Sequence, residues 1–181
     1  MMLVFWFVFS VGFKSQPVGE MPYIVYFLGG FIPWNLFSET VMSNTAMITK
    51  NSHLVTKSIF PTEILVIVCL ASNMIGHFIM LLIFIVVILF SKMSLSFYSL
   101  QFIFYLIPMS VMAIGIGWIV SALNVFYKDV GQTVGIIMNV WFWLTPIVWV
   151  VDLITPNYQY VIRLNPMYYI VEGYRAAFIY H

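Results

Sequence analysis

Between Glu63 and Lys92 the chain carries no charged side chain. That run exceeds the roughly 20 apolar residues that cross a bilayer as a helix. Three more uncharged runs follow the same plan, over residues 21–38, 93–127 and 130–151. The runs are continuous rather than alternating, so the period of a transmembrane barrel is absent. With 63% hydrophobic and only 7% charged residues, the chain falls far below the roughly 25% charge of a soluble domain. Burial in a core does not absorb this much hydrocarbon, because a globular surface must still meet water. The expected fold is all-α and polytopic, with four to five spanning helices in one transmembrane domain covering residues 1–181.

The ends read as those of a fragment. Residues 1–13 are too short to span and stop at Lys14. They lack the basic start and small-residue cleavage site of a signal peptide. Residues 176–180 open an apolar stretch that breaks off at His181. Pro108, inside the longest run, marks either a kink or the true start of its spanning part.

Several functions are disfavoured. A net charge of +1 gives no electrostatic case for nucleic acid. Cys69 is the single cysteine, which excludes an intrachain disulfide framework and a multi-thiolate zinc site. His53, His77 and His181 are scattered without ligand spacing. No Ser-His-Asp grouping or paired carboxylates assemble, so no catalytic residue, metal or bound cofactor is expected. The absence of a Gly-x-x-x-x-Gly-Lys loop means that this chain does not hydrolyse ATP in the P-loop manner.

The polar segments carry more information. In residues 44–60, Ile48, Val55 and Ile59 recur at helical spacing with Leu54 beside them, while Thr49, Lys50, Asn51 and Lys57 fill the other side. That describes a surface-lying amphipathic helix or one docked on a partner; an ordinary solvated connector fits the pattern as well. Phe60-Pro61-Thr62-Glu63 is a helix start, with proline in the first turn and a carboxylate at the positive end of the dipole. Asn165-Pro166 repeats the device, and the helix that it opens holds Glu172 and Arg175, three apart on one face. Ionisable groups beside apolar spans are functional candidates, although a plain interfacial ion pair has the same spacing. Asn73 and His77, one turn apart in the 64–90 run, read as hydrogen-bonding glue between helices. Placing Lys50, Lys57 and Lys128 inside obeys the positive-inside rule, but Lys92, Arg163 and Arg175 then count against it.

In order along the chain stand Ile32-Pro33-Trp34-Asn35-Leu36-Phe37-Ser38, Phe60-Pro61-Thr62-Glu63-Ile64 and Phe126-Tyr127-Lys128-Asp129-Val130. Thr145-Pro146-Ile147, Leu164-Asn165-Pro166-Met167-Tyr168-Tyr169 and Glu172-Gly173-Tyr174-Arg175 follow. This collinear set resembles the permeases that export polysaccharide and teichoic acid (O-antigen, lipopolysaccharide, capsule, polyol phosphate) in ABC transporters. The resemblance implies a multi-pass protein of the bacterial inner membrane. Two permease copies of six spans each would form a channel for a lipid-linked polymer, surrounded by membrane lipids, with ATP bound and hydrolysed on a separate ATPase subunit. It implies that residues 44–60 form a cytoplasmic coupling helix, carried by Ile48, Thr49, Lys50, Asn51, Leu54, Val55, Lys57 and Ile59. It further implies that residues 152–180 form an outer re-entrant segment and gate, with Asn165, Pro166, Tyr168, Tyr169, Glu172, Tyr174 and Arg175 as gate residues. Against the family pattern, an N-terminal interfacial helix and the last span are missing, and Lys128 replaces the more usual arginine. An intramembrane enzyme acting on lipid-linked sugars would want a clustered charged site, and a secondary transporter or channel would want inverted repeats. Neither feature is visible.

Overall fold

The computed structural model describes residues 22–53, 61–93, 96–151 and 156–180, with side chains in the last stretch from residue 159 onward. The described elements are α1 (Tyr23–Thr45), a single turn α2 (Met47–Lys50), α3 (Glu63–Phe90), a 3-10 turn (Phe97–Gln101) leading into α4 (Phe102–Phe126), α5 (Val130–Leu144), α6 (Pro156–Arg163) and α7 (Pro166–Phe178). No strand occurs among the described residues, as continuous apolar runs require.

α1 is the hub. It packs against α3, α4, α5 and α7, and buries Val25, Phe27, Leu28, Ile32, Leu36, Phe37 and Val41 among them. Glu39 ends the uncharged run in the sequence, yet the helix continues through it to Thr45. Glu39 lies on the open side of α1, where Asn35 Nδ2 donates to its Oε2 at 3.1 Å from one turn earlier.

Glu63–Phe90 and Phe97–Phe126 are the described helices both long and apolar enough to cross a membrane. At 1.5 Å per residue, the 28 residues of α3 extend about 42 Å, more than the ~30 Å of a hydrocarbon core. Their outward faces are apolar almost throughout, Ser72 of α3 excepted: Ile75, Phe78, Ile79, Leu82 and Val86 on α3, and Phe104, Ile107, Val111 and Ile119 on α4. Such faces are stable only against lipid or another chain.

The helix boundaries follow local chemistry. Pro61 precedes α3, and its carbonyl accepts from Ile64 N at 3.2 Å, while Glu63 sits in the first turn. Trp118 Nε1 of α4 donates to the Glu63 carbonyl at 3.2 Å, tying the start of α3 to its neighbour. α3 ends at Phe90, and Lys92, two residues on, has the φ of 57° of the left-handed turn that closes many helices. Pro108 lies inside α4 rather than at its start. The 130–151 run is not one helix: α5 stops at Leu144, where Thr145 caps it by donating to the Trp141 carbonyl at 2.8 Å. Polar glue ties α3 to the hub, since Asn73 Nδ2 donates to Thr40 Oγ1 at 3.2 Å.

Candidate functional site

Residues 145–151 run back along the first turns of α1 with irregular backbone. Peptide carbonyls that leave a helix inside an apolar bundle must find other donors. Three consecutive ones do. Ile147 O accepts from Arg175 Nη2 at 3.1 Å, Val148 O from the Tyr23 hydroxyl at 2.8 Å, and Trp149 O from the Tyr26 hydroxyl at 3.2 Å. Tyr23 and Tyr26 stand three apart on one face of α1, which is the spacing that lets them reach successive residues.

Arg175 joins three elements. Its side chain is completely buried, and Nη1 pairs with Glu172 Oε1 at 2.6 Å within α7. Nε donates to the Tyr26 carbonyl of α1 at 3.3 Å, and the guanidinium lies 3.6 Å from the centre of the Tyr26 ring. The planar fork of arginine serves several fixed acceptors at once, which the point charge of a lysine does not. Gly30 makes the approach possible: a Cβ there would stand 2.8 Å from Arg175 Nη2 and 3.1 Å from Val171 Cγ1. Glu172 keeps 31% of its side chain exposed.

The other end of α7 is held by Asn165. Its Oδ1 caps the helix by accepting from Met167 N at 3.0 Å and accepts again from Trp141 Nε1 at 2.8 Å. Its Nδ2 donates to Thr145 Oγ1 at 2.9 Å. The Thr145-Pro146 and Asn165-Pro166 motifs, 20 residues apart, therefore meet in one network. Trp141 in turn stacks edge-on against Trp34 and Phe37 in the middle of α1. Asn165 thus pins an otherwise exposed α6–α7 turn to the bundle, and α7 runs back from it beside α1, α4 and the 3-10 turn. A cavity of about 300 Å³ lined by Trp141, Leu144, Val161, Ile162, Leu164, Asn165 and Pro166 opens at this turn.

Of the residues expected to form a gate, Glu172 and Arg175 come together near one end of α7, and Asn165 fixes the other, a clamp on both ends of the helix. Tyr169 is exposed and Tyr168 half-buried, with their rings 5.2 Å apart. Tyr174 lies further inside the bundle. It is buried, with its hydroxyl 3.3 Å from His77 Nε2 and its ring against Phe102 and Phe178. His77 and Asn73 thus both join helices, one to α7 and the other to α1. Of the expected coupling residues, Ile48 and Asn51 are half-buried and Thr49 and Lys50 exposed, on or beside α2, which packs against α3 and α4. Leu54, Val55, Lys57 and Ile59 lie outside the described residues, as does Asp152 at the start of the outer segment. Sequence reasoning missed Tyr23, Tyr26, Trp141 and Thr145 as members of the clamp. The i, i+3 tyrosines and the Thr-Pro pair were its available signals. No group of three or more His, Cys, Asp or Glu positioned for a metal occurs among the described residues.

Replacing Asn165 by Ala removes a cap and two side-chain bonds at once. The expected loss is about 2 kcal/mol, since a helix cap alone contributes ~1 kcal/mol. Asn165→Asp should keep the cap and the Trp141 bond and lose less. Thermal unfolding of the purified protein in detergent ranks the two.

The whole chain was compared with known proteins. Residues 1–179 match the ABC-2 type transporter family. Among curated proteins, the chain is 25% identical over 184 residues to an O-antigen export system permease protein RfbA from Klebsiella pneumoniae, covering 98% of this chain and 68% of that one. It is 24% identical over 182 residues to the protein of the same name from Myxococcus xanthus, covering 99% of this chain and 69% of that one. Apolar faces, an irregular segment whose carbonyls are satisfied internally, and a match over nearly every residue agree: the chain belongs to the ABC-2 type transporter membrane family.

Proposed function

We propose that this protein is the membrane permease subunit of an ATP-driven exporter that moves a lipid-linked polysaccharide of the O-antigen type outward across the bacterial inner membrane. The observation that carries the reading is the match to O-antigen export permeases over 98–99% of this chain. The buried clamp on α7 supports it, because a helix turned back into the bundle and fixed by a charge suits a constriction on a path better than a plain span. In this reading two copies pair around the path and each binds a separate ATPase subunit. α2 begins the cytoplasmic coupling segment, and α6–α7 form the outer re-entrant gate. α1, α3 and α4 cross the membrane, joined by α5 with residues 145–151 as a fourth span, and the chain itself performs no chemistry.

Complementation tests this. In a bacterium deleted for its own O-antigen exporter, the complete permease gene together with its ATPase partner should restore surface polymer. Either gene alone should leave polymer inside the cell. Restoration by the permease without any ATPase, or by a partner bearing an intact fold but no nucleotide hydrolysis, would remove ATP-driven export as the activity.

A further inference from the structure

α1 is buried on most of its circumference, but one sector is open. Asn35, Ser38, Glu39, Met42 and Ser43 recur at intervals of three and four on that sector, half-buried or exposed, and four of the five are polar. The open faces of α3 and α4 are mainly apolar instead, with Ser72 of α3 the exception. The depth of the sector is fixed by its neighbour. Thr40 bonds Asn73, ten residues into α3 and so about 15 Å from its Glu63 end. In the export reading, where α3 crosses the membrane, Glu39 therefore stands at hydrocarbon depth. A carboxylate there does not face lipid; it needs a partner cation or water. Among the described residues the Arg175–Glu172 pair is the one ion pair, and the bond that Glu39 receives is from the neutral amide of Asn35. Among the described residues no cation meets it, and water is the partner that the open side offers. On α5, which meets Trp34 of α1 through Trp141 and Phe142, Gln132 and Asn139 are exposed seven residues apart on one side.

We propose that the Asn35–Ser38–Glu39–Ser43 sector, with Gln132 and Asn139 beside it, lines the aqueous passage and selects an uncharged, hydroxyl-rich chain over a polyanion. Hydroxyl groups donate to the Glu39 carboxylate and exchange bonds with amides, which both donate and accept. None of these contacts is strong enough to trap a moving chain. A polymer carrying phosphate or carboxylate at each unit meets a like charge between low-dielectric walls, where repulsion is poorly screened. The inference rests on the export reading and adds to it the class of cargo.

Two measurements separate its parts. In the complete permease with Cys69→Ala, single cysteines replace Ser38 or Met42 in the sector, and Ile75 or Ile107 on the apolar faces. A charged, membrane-impermeant thiosulfonate should label the sector positions at least tenfold faster than the controls. Equal rates would overturn the hydrated passage and leave the sector as a seat for a second copy or for lipid. The second measurement compares export of a neutral glycan and of a poly(polyol phosphate) by the permease–ATPase complex in exporter-deleted cells. The native complex should favour the neutral chain by tenfold or more, and Glu39→Lys should lower that ratio at least tenfold. An unchanged ratio would overturn the selectivity. Fast labelling of the sector with no export of either polymer by the native complex would overturn the transport reading, and the selectivity with it, but leave the hydrated sector standing.

Discussion

Arg175→Ala should reduce export to a few per cent of the native level and lower the stability of the purified permease by about 3 kcal/mol, the scale of breaking a buried charge pair by deleting one partner. The loss combines three effects. Glu172 keeps a charge whose partner has gone, the Ile147 carbonyl is left without a donor in an apolar interior, and the contact over the Tyr26 ring disappears. Arg175→Lys should fall between, because one ammonium does not reach Glu172, Tyr26 O and Ile147 O together. Exchanging the two charges, Glu172→Arg with Arg175→Glu, should not restore function. The pair alone would survive such an exchange, but a carboxylate at 175 would face two backbone carbonyls. Export assays with surface-polymer staining, alongside unfolding in detergent, check all three variants. Recovery in the swapped protein would show that the ion pair acts alone and that the carbonyl contacts are incidental.

Gly173→Val is expected to be nearly as damaging, for a steric reason. A Cβ at residue 173 would clash with three ring atoms of Tyr105, Cδ1, Cε1 and Cζ. Either the ring or the whole of α7 must move, and α7 is fixed at both ends by Asn165 and Arg175. Overpacking of a tight contact costs roughly 1–3 kcal/mol, here concentrated where α7 crosses α4. The expected result is at least a tenfold loss of export with the protein still inserted. Tyr105→Ala in the same chain should recover much of it, and a double-mutant cycle on stability should give a coupling of about 1 kcal/mol or more. No recovery would mean that the damage lies in the backbone of α7 rather than in its contact with Tyr105.

What the sequence discloses and what it hides divides along chain distance. Starts of helices are local, so Pro61-Thr62-Glu63 and Asn165-Pro166 were readable as written. Asn73 and His77 were readable as interhelical glue because polar groups in apolar runs have few other uses. The partners were not readable. Tyr23 reaches a carbonyl 125 residues away and Arg175 one 149 residues away, and no local pattern encodes such pairs. Arg175 therefore looked like half of an i, i+3 pair, when the structure adds two carbonyls and an aromatic face. Glu39 was hidden differently. A lone carboxylate marks the end of an apolar run in a linear reading, and only the packing of α1 shows that the helix carries it onward on an open side. Likewise the 130–151 run is long enough for a straight span, and nothing in its hydropathy announces that the helix stops at Leu144.

The three carbonyls of residues 147–149 impose an order on biosynthesis. α1 leaves the ribosome early with the tyrosines that will meet Val148 and Trp149 and the glycine that will admit Arg175, yet these counterparts lie more than 120 residues downstream. At ~5–20 residues per second, the hub helix waits on the order of ten seconds with hydroxyls unmatched and Glu39 beside it. During that interval it is a poor transmembrane segment, held by whatever receives nascent chains at the membrane. The bundle closes around α1 only when α7 arrives, so nascent chains ending before Thr145 should remain protease-sensitive in α1 and those reaching Phe178 should not.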